Sequence, residues 1–324
     1  MKVLVTGAAG FIGSHLTDFL LAHGHAVAGI DDLSSGSLDN LTKAIDDPRF
    51  TFVNGDVRNE QMVNVAIAGC DAVVHLAARI GLKMILLSPL ETLEVNARGT
   101  EIVLAAALRQ SVPIVIASTS EVYGHSLRFP SGEGDPISIG SPDVGRWSYA
   151  CAKAYDEFYA LALHRERGLK VAVARLFNTV GTRQTGRYGM VIPRLVAQAI
   201  AGEPLTVYGD GTQTRCFCSV KDVVRTLLAQ LEHIDTVAGE VINVGNPVET
   251  SILDLARVII ERTGSSSTID FVPFCEVYPA GFDEIMRRVP DIAKARRLLQ
   301  FEPSVSLEQT LDDVIASLAH DRAA

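Results

Sequence analysis

Six short apolar runs, Val3–Val5, Ala26–Ile30, Phe50–Val53, Ala72–Leu76, Ile114–Ala117 and Val171–Leu176, punctuate the first half of the chain, and stretches with helical spacing separate them. The runs are apolar throughout rather than alternating, as strands covered on both faces are. Their alternation with helical segments predicts an α/β fold built on a doubly wound parallel sheet. Beyond Leu176 the pattern loosens. The polar, Gly-containing stretch Asn178–Gly189 precedes a helix over Val191–Ala201 and then Gly202-Glu203-Pro204. Val220–Leu231 reads as a helix, and Val241–Val244 as a short strand that could return to the main sheet. Helices predominate from Ser251-Ile252-Leu253-Asp254, which resembles a capping box with Asp at N3 in place of Glu or Gln. The pattern predicts a larger domain over 1–177 plus roughly 214–250. A smaller, discontinuous, mainly helical substrate domain takes 178–213 and 251–324, and His320–Ala324 read as a frayed tail.

In doubly wound sheets, ligands sit outside the carboxyl ends of the strands. There this chain places Gly7, Asp31, Asp56, Ala77, Ser118–Glu121 and Asn178. The first of these sites is Thr6-Gly7-Ala8-Ala9-Gly10-Phe11-Ile12-Gly13, which joins a strand directly to a helical pattern. Gly7 permits the tight turn, Gly10 lets a pyrophosphate approach the backbone, and Gly13 lets the helix pack closely on the sheet. The helix N-terminus then faces the phosphates. Eighteen residues after Gly13, at the end of the second run, stands Asp31, where a ribose-binding acid belongs. An acid here without a neighbouring Arg favours NAD over NADP, and the expected domain is of the Rossmann type.

Length and charge narrow the class. At 324 residues the chain suits one large domain with a smaller one attached. Its 48% hydrophobic and 21% charged content is that of a soluble globular protein, and no apolar run is long enough to span a bilayer. Met1-Lys2 leads straight into a strand with no leader pattern, so a cytoplasmic location and no membrane partner are expected. The net charge of −9 argues against nucleic-acid binding, although local arginines among Arg183, Arg187, Arg215 and Arg288 can hold a diphosphate. Cys216 and Cys218 would share one strand face, but nothing nearby completes a four-ligand zinc site. The five cysteines read as reduced, packed residues, and no metal is expected.

Tyr149 and Lys153 stand four apart within Trp147–Arg165, which reads as a helix, so both side chains share one face. A phenol titrates near pH 10, and lowering it by about three units, roughly 4 kcal/mol, would make it a base near neutrality. Lys153 and an oxidised nicotinamide would supply the positive surroundings. A surface Tyr/Lys pair has the same spacing, and it is the upstream dinucleotide fingerprint that turns the reading to chemistry.

With these residues the chain resembles, over nearly all its length, the extended short-chain dehydrogenase/reductase family in its branch of nucleotide-sugar epimerases, dehydratases and decarboxylases. The resemblance rests on TGAAGFIG at 6–13, DDLSSG at 31–36, GDV at 55–57, HLAA at 75–78, STSEVYG at 118–124, Tyr149/Lys153, LFN at 176–178 and YGDGTQTR at 208–215. It implies that Asp31, with Asp32, Ser34 and Gly36, holds the adenosine ribose of NAD. Asp56 and Val57 would take the adenine edge and Leu76, Ala77 and Ala78 the cofactor's middle, with Asn96 as a helix-stabilising residue. Tyr149 would accept the C4 hydroxyl proton as hydride leaves for tightly bound NAD. Thr119 would bond the same oxygen, and a 4-keto sugar would form before NADH returns the hydride.

The same resemblance bears on the intervening step. Thr119-Ser120-Glu121 is similar to the pattern of UDP-glucuronate decarboxylases and of some GDP-sugar 4,6-dehydratases. Ser120 lacks the acid that would expel water in the usual dehydratase, which weakens that reading. Arg287-Arg288-Val289-Pro290-Asp291 resembles a decarboxylase segment and makes Arg288 the candidate acid and carboxylate partner. Arg146-Trp147-Ser148-Tyr149 also resembles a decarboxylase domain. For the UDP-sugar, Asn178 and Arg215 would meet the phosphates, and Val191, Ile192 and Tyr208 the base. Arg79 and Lys83 could reach a hexuronate carboxylate. The implied reaction is decarboxylation of UDP-glucuronate to UDP-xylose or the 4-keto pentose. The alternatives are 4-epimerisation, 4,6-dehydration and, last, a non-catalytic NAD sensor. A homodimer through a four-helix interface would use Ile102–Leu108 and Phe158–Leu163.

Overall fold

The computed structural model describes residues 1–279 and 282–323. Seven parallel strands make the main sheet: β1 (Lys2–Thr6), β2 (Ala26–Asp31), β3 (Phe50–Asn54), β4 (Ala72–His75), β5 (Ile114–Thr119), β6 (Val171–Leu176) and β7 (Val241–Val244). Their order is β7-β6-β5-β4-β1-β2-β3, the doubly wound arrangement the apolar runs predict. The expected return of Val241–Val244 occurs, in register from Val241↔Val173 to Val244↔Leu176. The winding reverses between β1 and β4, which opens a crevice at the strands' carboxyl ends.

The longer helices are α1 (Phe11–Ala22), α2 (Glu60–Ile67), α3 (Gly99–Gln110), α4 (Trp147–Arg167), α5 (Val191–Ala201), α6 (Val220–Glu232), α7 (Ile252–Thr263) and α8 (Leu307–Ala323). None of the described helices is long and apolar enough to cross a membrane. Successive strand residues point to opposite faces, so each sheet strand feeds two cores. Val3 and Val5 pack with Leu16, Leu20, Val223 and Leu227 from α1 and α6. Leu4 and Val73 pack with Val63, Val103, Leu104 and Ala160 from α2, α3 and α4.

A third core, with Ile192, Leu195, Leu205, Leu255, Ile259 and Leu311, joins α5, α7 and α8. This smaller lobe is not only helical. Leu205–Tyr208 pairs parallel with Ile269–Val272, Thr214–Cys216 antiparallel with Glu249–Ser251, and Thr179–Val180 parallel with Cys218–Ser219. Ser251 caps α7 by accepting from the Asp254 N–H at 3.0 Å, and its hydroxyl donates to the Asp254 carboxylate at 2.7 Å. The reciprocal bond of a full capping box is therefore replaced by a side-chain one. The C-terminal helix continues to Ala323, through most of the segment expected to fray, and Ala324 lies outside the described residues. After Pro290 the chain leaves the smaller lobe again. Ile292, Ala295, Leu299 and Phe301 pack in the same core as Val3 and Leu227.

A buried polar network ties the strands beneath the crevice. Arg175 on β6 binds Glu157 on α4 through Nε at 2.8 Å and Nη2 at 2.6 Å, and the Ser118 hydroxyl donates to the same carboxylate at 2.5 Å. Arg175 also lies 4.8 Å over the Tyr123 ring, whose hydroxyl donates to Asn243 on β7 at 2.7 Å. Breaking one partner of such a pair strands a charge. Glu157→Gln is expected to lower unfolding stability by about 3–5 kcal/mol, read as a reduced urea midpoint at constant slope.

Candidate active site

The crevice is one continuous cavity that runs from the ends of β1 and β2 to the smaller lobe. Gly7 has φ +69°, and a Cβ on it would meet the Ala77 nitrogen at 2.9 Å; one on Gly13 would lie 2.0 Å from the Gly7 carbonyl oxygen. Gly10 caps α1 with no side-chain hydrogen bond. Gly10, Phe11, Ile12 and Gly13 line the cavity, so the first-turn N–H groups of α1 are available to an anion there. A cradle closed to any methyl group and open to a pyrophosphate fits a dinucleotide.

Asp31 ends β2 and lines the cavity with Asp32 and Ser34. Its carboxylate accepts from the Ala9 N–H at 2.9 Å and the Leu33 N–H at 2.8 Å, and burial pushes its pKa up. Asp32 is occupied locally by the Ser34 N–H and hydroxyl, at 2.9 and 2.6 Å. Asp56 and Val57 line the same end, with Arg58 beside them. The Arg58 guanidinium grips Asp56 at 2.9 and 2.6 Å and holds its carboxyl below the ordinary value. No motif of the sequence marks Arg58 in advance. Gly36 stands outside the lining, packed where a Cβ would come 2.8 Å from the Ala9 carbonyl. Asn96 is also outside it. Buried in a π-helical turn, Glu94–Arg98, it accepts from the Arg79 N–H at 2.8 Å and donates to the Arg79 carbonyl at 3.2 Å. Both side-chain bonds go to the loop after β4, which Asn96 braces.

Leu76, Ala77 and Ala78 line the middle. The Leu76 and Ala77 N–H groups both donate to the Thr6 hydroxyl at 3.1 Å, so the Thr6 proton goes to His75 Nδ1 at 2.8 Å. His75 Nε2–H then donates to Thr100 Oγ1 at 3.0 Å, and Thr100 donates to the Asn96 carbonyl at 2.7 Å. This chain of donors requires a neutral imidazole, and burial pushes His75 down to about 3.

At the other end, Thr119 closes β5 and accepts from the Glu121 N–H at 3.2 Å. The 3₁₀ turn Ser120–Tyr123 sets both Ser120, which is buried, and Glu121 on the cavity wall. Tyr149 and Lys153 stand one turn apart on α4, both buried, and line the cavity beside Thr119. Burial, and then the Glu121 charge, push the Tyr149 phenol above its ordinary value, against a hydrogen bond with Thr119. Lys153 directs Nζ to Asp156 Oδ2 at 2.9 Å instead of leaving its charge to the phenol.

Beside them three guanidiniums meet two carboxylates. Glu121 lies 3.4 Å from Arg288 and 3.9 Å from Arg146. Glu284 lies 2.8 Å from Arg215 and 3.6 Å from Arg146. Burial, then the Arg288 charge, lower Arg215 to about 10. The Nε atoms of Arg146 and Arg288 are buried without a hydrogen-bond partner. The excess of positive charge and the spare donors suit one more carboxylate or a phosphate. Of the four arginines considered for a diphosphate from sequence, Arg215 and Arg288 converge here; Arg146, noted there only within the Arg146–Tyr149 resemblance, joins them, as does Glu284, which the sequence does not single out. Arg183 lines the cavity but binds Asp18 at 2.7 Å, and Arg187 stands outside it. Arg79 lines it, paired with Glu91 at 2.9 Å, while Lys83 does not.

In the smaller lobe Asn178, Val191 and Tyr208 line the cavity. Ile192 does not: one step along α5, its side chain turns into the lobe's core. Phe274, Tyr278 and Arg194 complete the wall, with the Arg194 guanidinium 4.2 Å from the Tyr208 centroid. The spacing of Phe274 and Tyr278 by four is their one sequence signal. Cys216 and Cys218 are buried.

A family model described as GDP-mannose 4,6 dehydratase matches residues 4–314. The chain is 41% identical to a UDP-N-acetyl-alpha-D-glucosaminuronate decarboxylase of Bacillus cytotoxicus, covering 97% of this chain and 96% of that protein. It is 37% identical to UDP-glucuronic acid decarboxylase 1 of Arabidopsis thaliana, covering 98% and 69%. In structure it is similar to UDP-glucuronic acid 4-epimerase of Bacillus cereus solved with UDP-glucuronic acid and NAD, with TM-score 0.89, 31% identity and 99% of each chain covered.

The His75 network has a consequence for stability. The folded chain refuses a proton that the unfolded chain binds near pH 6.5, so this contribution is full above that pH and is lost as pH falls towards about 3. Stability is expected to fall by up to about 1.4 kcal/mol per pH unit across that window, and less steeply in His75→Gln, as read by urea unfolding at stepped pH.

Proposed function

The chain belongs to the family of NAD-dependent nucleotide-sugar epimerases, dehydratases and decarboxylases, and from that membership we propose that it decarboxylates a UDP-hexuronate, most simply UDP-glucuronate. It is an enzyme that converts a nucleotide sugar with NAD through a 4-keto intermediate. The observation that carries the finer reading is Glu121 set 3.4 Å from Arg288 and flanked by Arg146, beside Tyr149.

The residues divide the work. The Gly7–Gly13 cradle holds the pyrophosphate of NAD, with Asp31 at the adenosine ribose, Asp56 and Val57 at the adenine, and Tyr149 and Lys153 at the nicotinamide end. When bound, NAD supplies the hydride acceptor and donor for C4. Tyr149 takes the C4 hydroxyl proton, with Thr119 and the Arg288 charge offsetting part of the burial and Glu121 charge that hold its phenol up. The 4-keto group makes the C5 carboxylate a β-keto acid. The C5–C6 bond breaks, carbon dioxide leaves, the electron pair passes into the C4–C5 enolate, and a proton returns to C5. Arg288 holds the carboxylate and then the enolate charge, while Glu121 raises the ground-state energy of the neighbouring carboxylate by like-charge proximity. Arg215 and Asn178 hold the diphosphate, and Val191, Tyr208, Phe274 and Tyr278 enclose the uracil.

In this reading residues 1–177 and roughly 214–250 bind NAD, and 178–213 and 251–324 bind the sugar nucleotide, with two exceptions: the stretch around Arg215 and Phe217 goes with the smaller lobe, and the segment after Pro290 packs on the sheet. Two copies pair through α3 and α4. Phe158 (64% exposed) and Tyr155 (41%) supply the contact, because Val103, Leu104, Ala106 and Ala107 within Ile102–Leu108 face their own sheet. Five free cysteines suit a reducing, cytoplasmic setting. A second reading, a UDP-N-acetylhexosaminuronate as substrate, is favoured by the 41% identity to a decarboxylase of that sugar.

Incubation with UDP-glucuronate and with UDP-N-acetylglucosaminuronate is expected to release carbon dioxide from one of them, as read by mass and proton NMR. Unchanged mass with inverted C4 would establish an epimerase, and loss of water a dehydratase. Tyr149→Phe should lower turnover by about 10²–10⁴-fold. Glu121→Gln should impair decarboxylation far more than NAD binding; equal loss of both would assign Glu121 to structure.

A further inference from the structure

Asp156 is the acid the proposed mechanism leaves unused. It is fully buried on α4, its Oδ2 is 2.9 Å from Lys153 Nζ, and its Oδ1 is buried with no partner. Lys153 is itself buried and lines the cavity. An ammonium has three donors, so with one spent on Asp156 two remain for a ligand. The other ionisable groups nearby cannot compensate Lys153. His75 on β4 is neutral, with its two nitrogens engaged by Thr6 and Thr100. Glu157 is committed to Arg175, and Glu121 to Arg288 and Arg146.

We propose that Asp156 is a positioning residue that sets the charge of the nicotinamide end of the cavity: it fixes Lys153 and cancels its charge, so that the positively charged oxidised ring is held there at rest. The inference rests on reading this cavity as the NAD site. A lysine without its counter-ion would repel oxidised nicotinamide across a low-dielectric pocket and leave the neutral reduced ring unaffected. An enzyme that oxidises its substrate first has to rest with NAD, not NADH, in place. Asp156 biases the pocket in that direction. Burial pushes the Asp156 carboxyl up and Lys153 draws it back, as expected of a pair whose charges depend on each other.

The test is the ratio of two dissociation constants, for NAD and for NADH, measured by calorimetry on the full chain without any sugar. Asp156→Asn is expected to raise Kd(NAD)/Kd(NADH) by about tenfold, equivalent to about 30 mV in the potential of the bound two-electron couple. The double variant Lys153→Met/Asp156→Asn, neutral again, should return the ratio to near the parent value. Equal weakening of both nucleotides by Asp156→Asn, or a ratio that stays displaced in the double variant, overturns the proposal. If Asp156→Asn does not fold, Lys153→Met alone should move the ratio in the opposite sense, and an unchanged ratio overturns the proposal equally. NAD binding without turnover of any uronate overturns the decarboxylase reading alone; binding of neither nucleotide overturns both.

Discussion

The approach of α1 to the end of β1 leaves no room for a single methyl group, and the cavity depends on that closeness. With Gly13 against the Gly7 carbonyl, the first turn of the helix is pressed over the crevice where the sheet reverses, and its N–H groups face inward. The Thr6 hydroxyl, at the end of β1 itself, completes the arrangement. It receives the amides that follow β4 and passes its own proton to His75, so the turn after β1 and the loop after β4 are held as one rigid lip. The shape of this lip is set chiefly by backbone contacts.

Charge governs the opposite end. Tyr149 is not made acidic by the protein's own groups, because burial and the Glu121 charge outweigh Thr119 and the Arg288 charge. Lys153, the obvious source of positive potential, is already balanced by Asp156. The groups that surround the phenol in the protein thus favour its protonated form. The guanidinium cluster is the complement: Arg146, Arg215 and Arg288 exceed their two carboxylates by one charge, so the site is left short of an anion. A substrate that brings its own carboxylate restores neutrality.

How much of this could be read from the chain follows from the range of the forces involved. The sheet strands are legible because burial on both faces makes them continuous apolar runs, and β7 is legible for the same reason. The ladders of the smaller lobe, two to four residues long and partly exposed, carry no such signature. Tyr149 and Lys153 are legible because helical spacing puts them together. Val191 and Ile192 are not told apart by sequence, since the phase of α5 decides which of the two neighbours faces the cavity and which the core. Arg146 and Glu284 meet across 138 positions of sequence, and only the tertiary fold brings them together. Asp156 hides differently: beside Glu157 on a helix it looks like one more solvated acid, yet both are buried.

The segment after Pro290 has a consequence for how this protein can be divided. The chain builds most of the small lobe, returns through Ile292 to Phe301 to the core beneath β1, and then leaves again for α8. Arg288 thus hangs on a strap tied at Ser131 and Val289 and sewn into the larger lobe just downstream. Neither lobe is a contiguous stretch that can be excised, transplanted or lost without unpicking the other. Two lobes that look like separate modules are interlaced through this one strap.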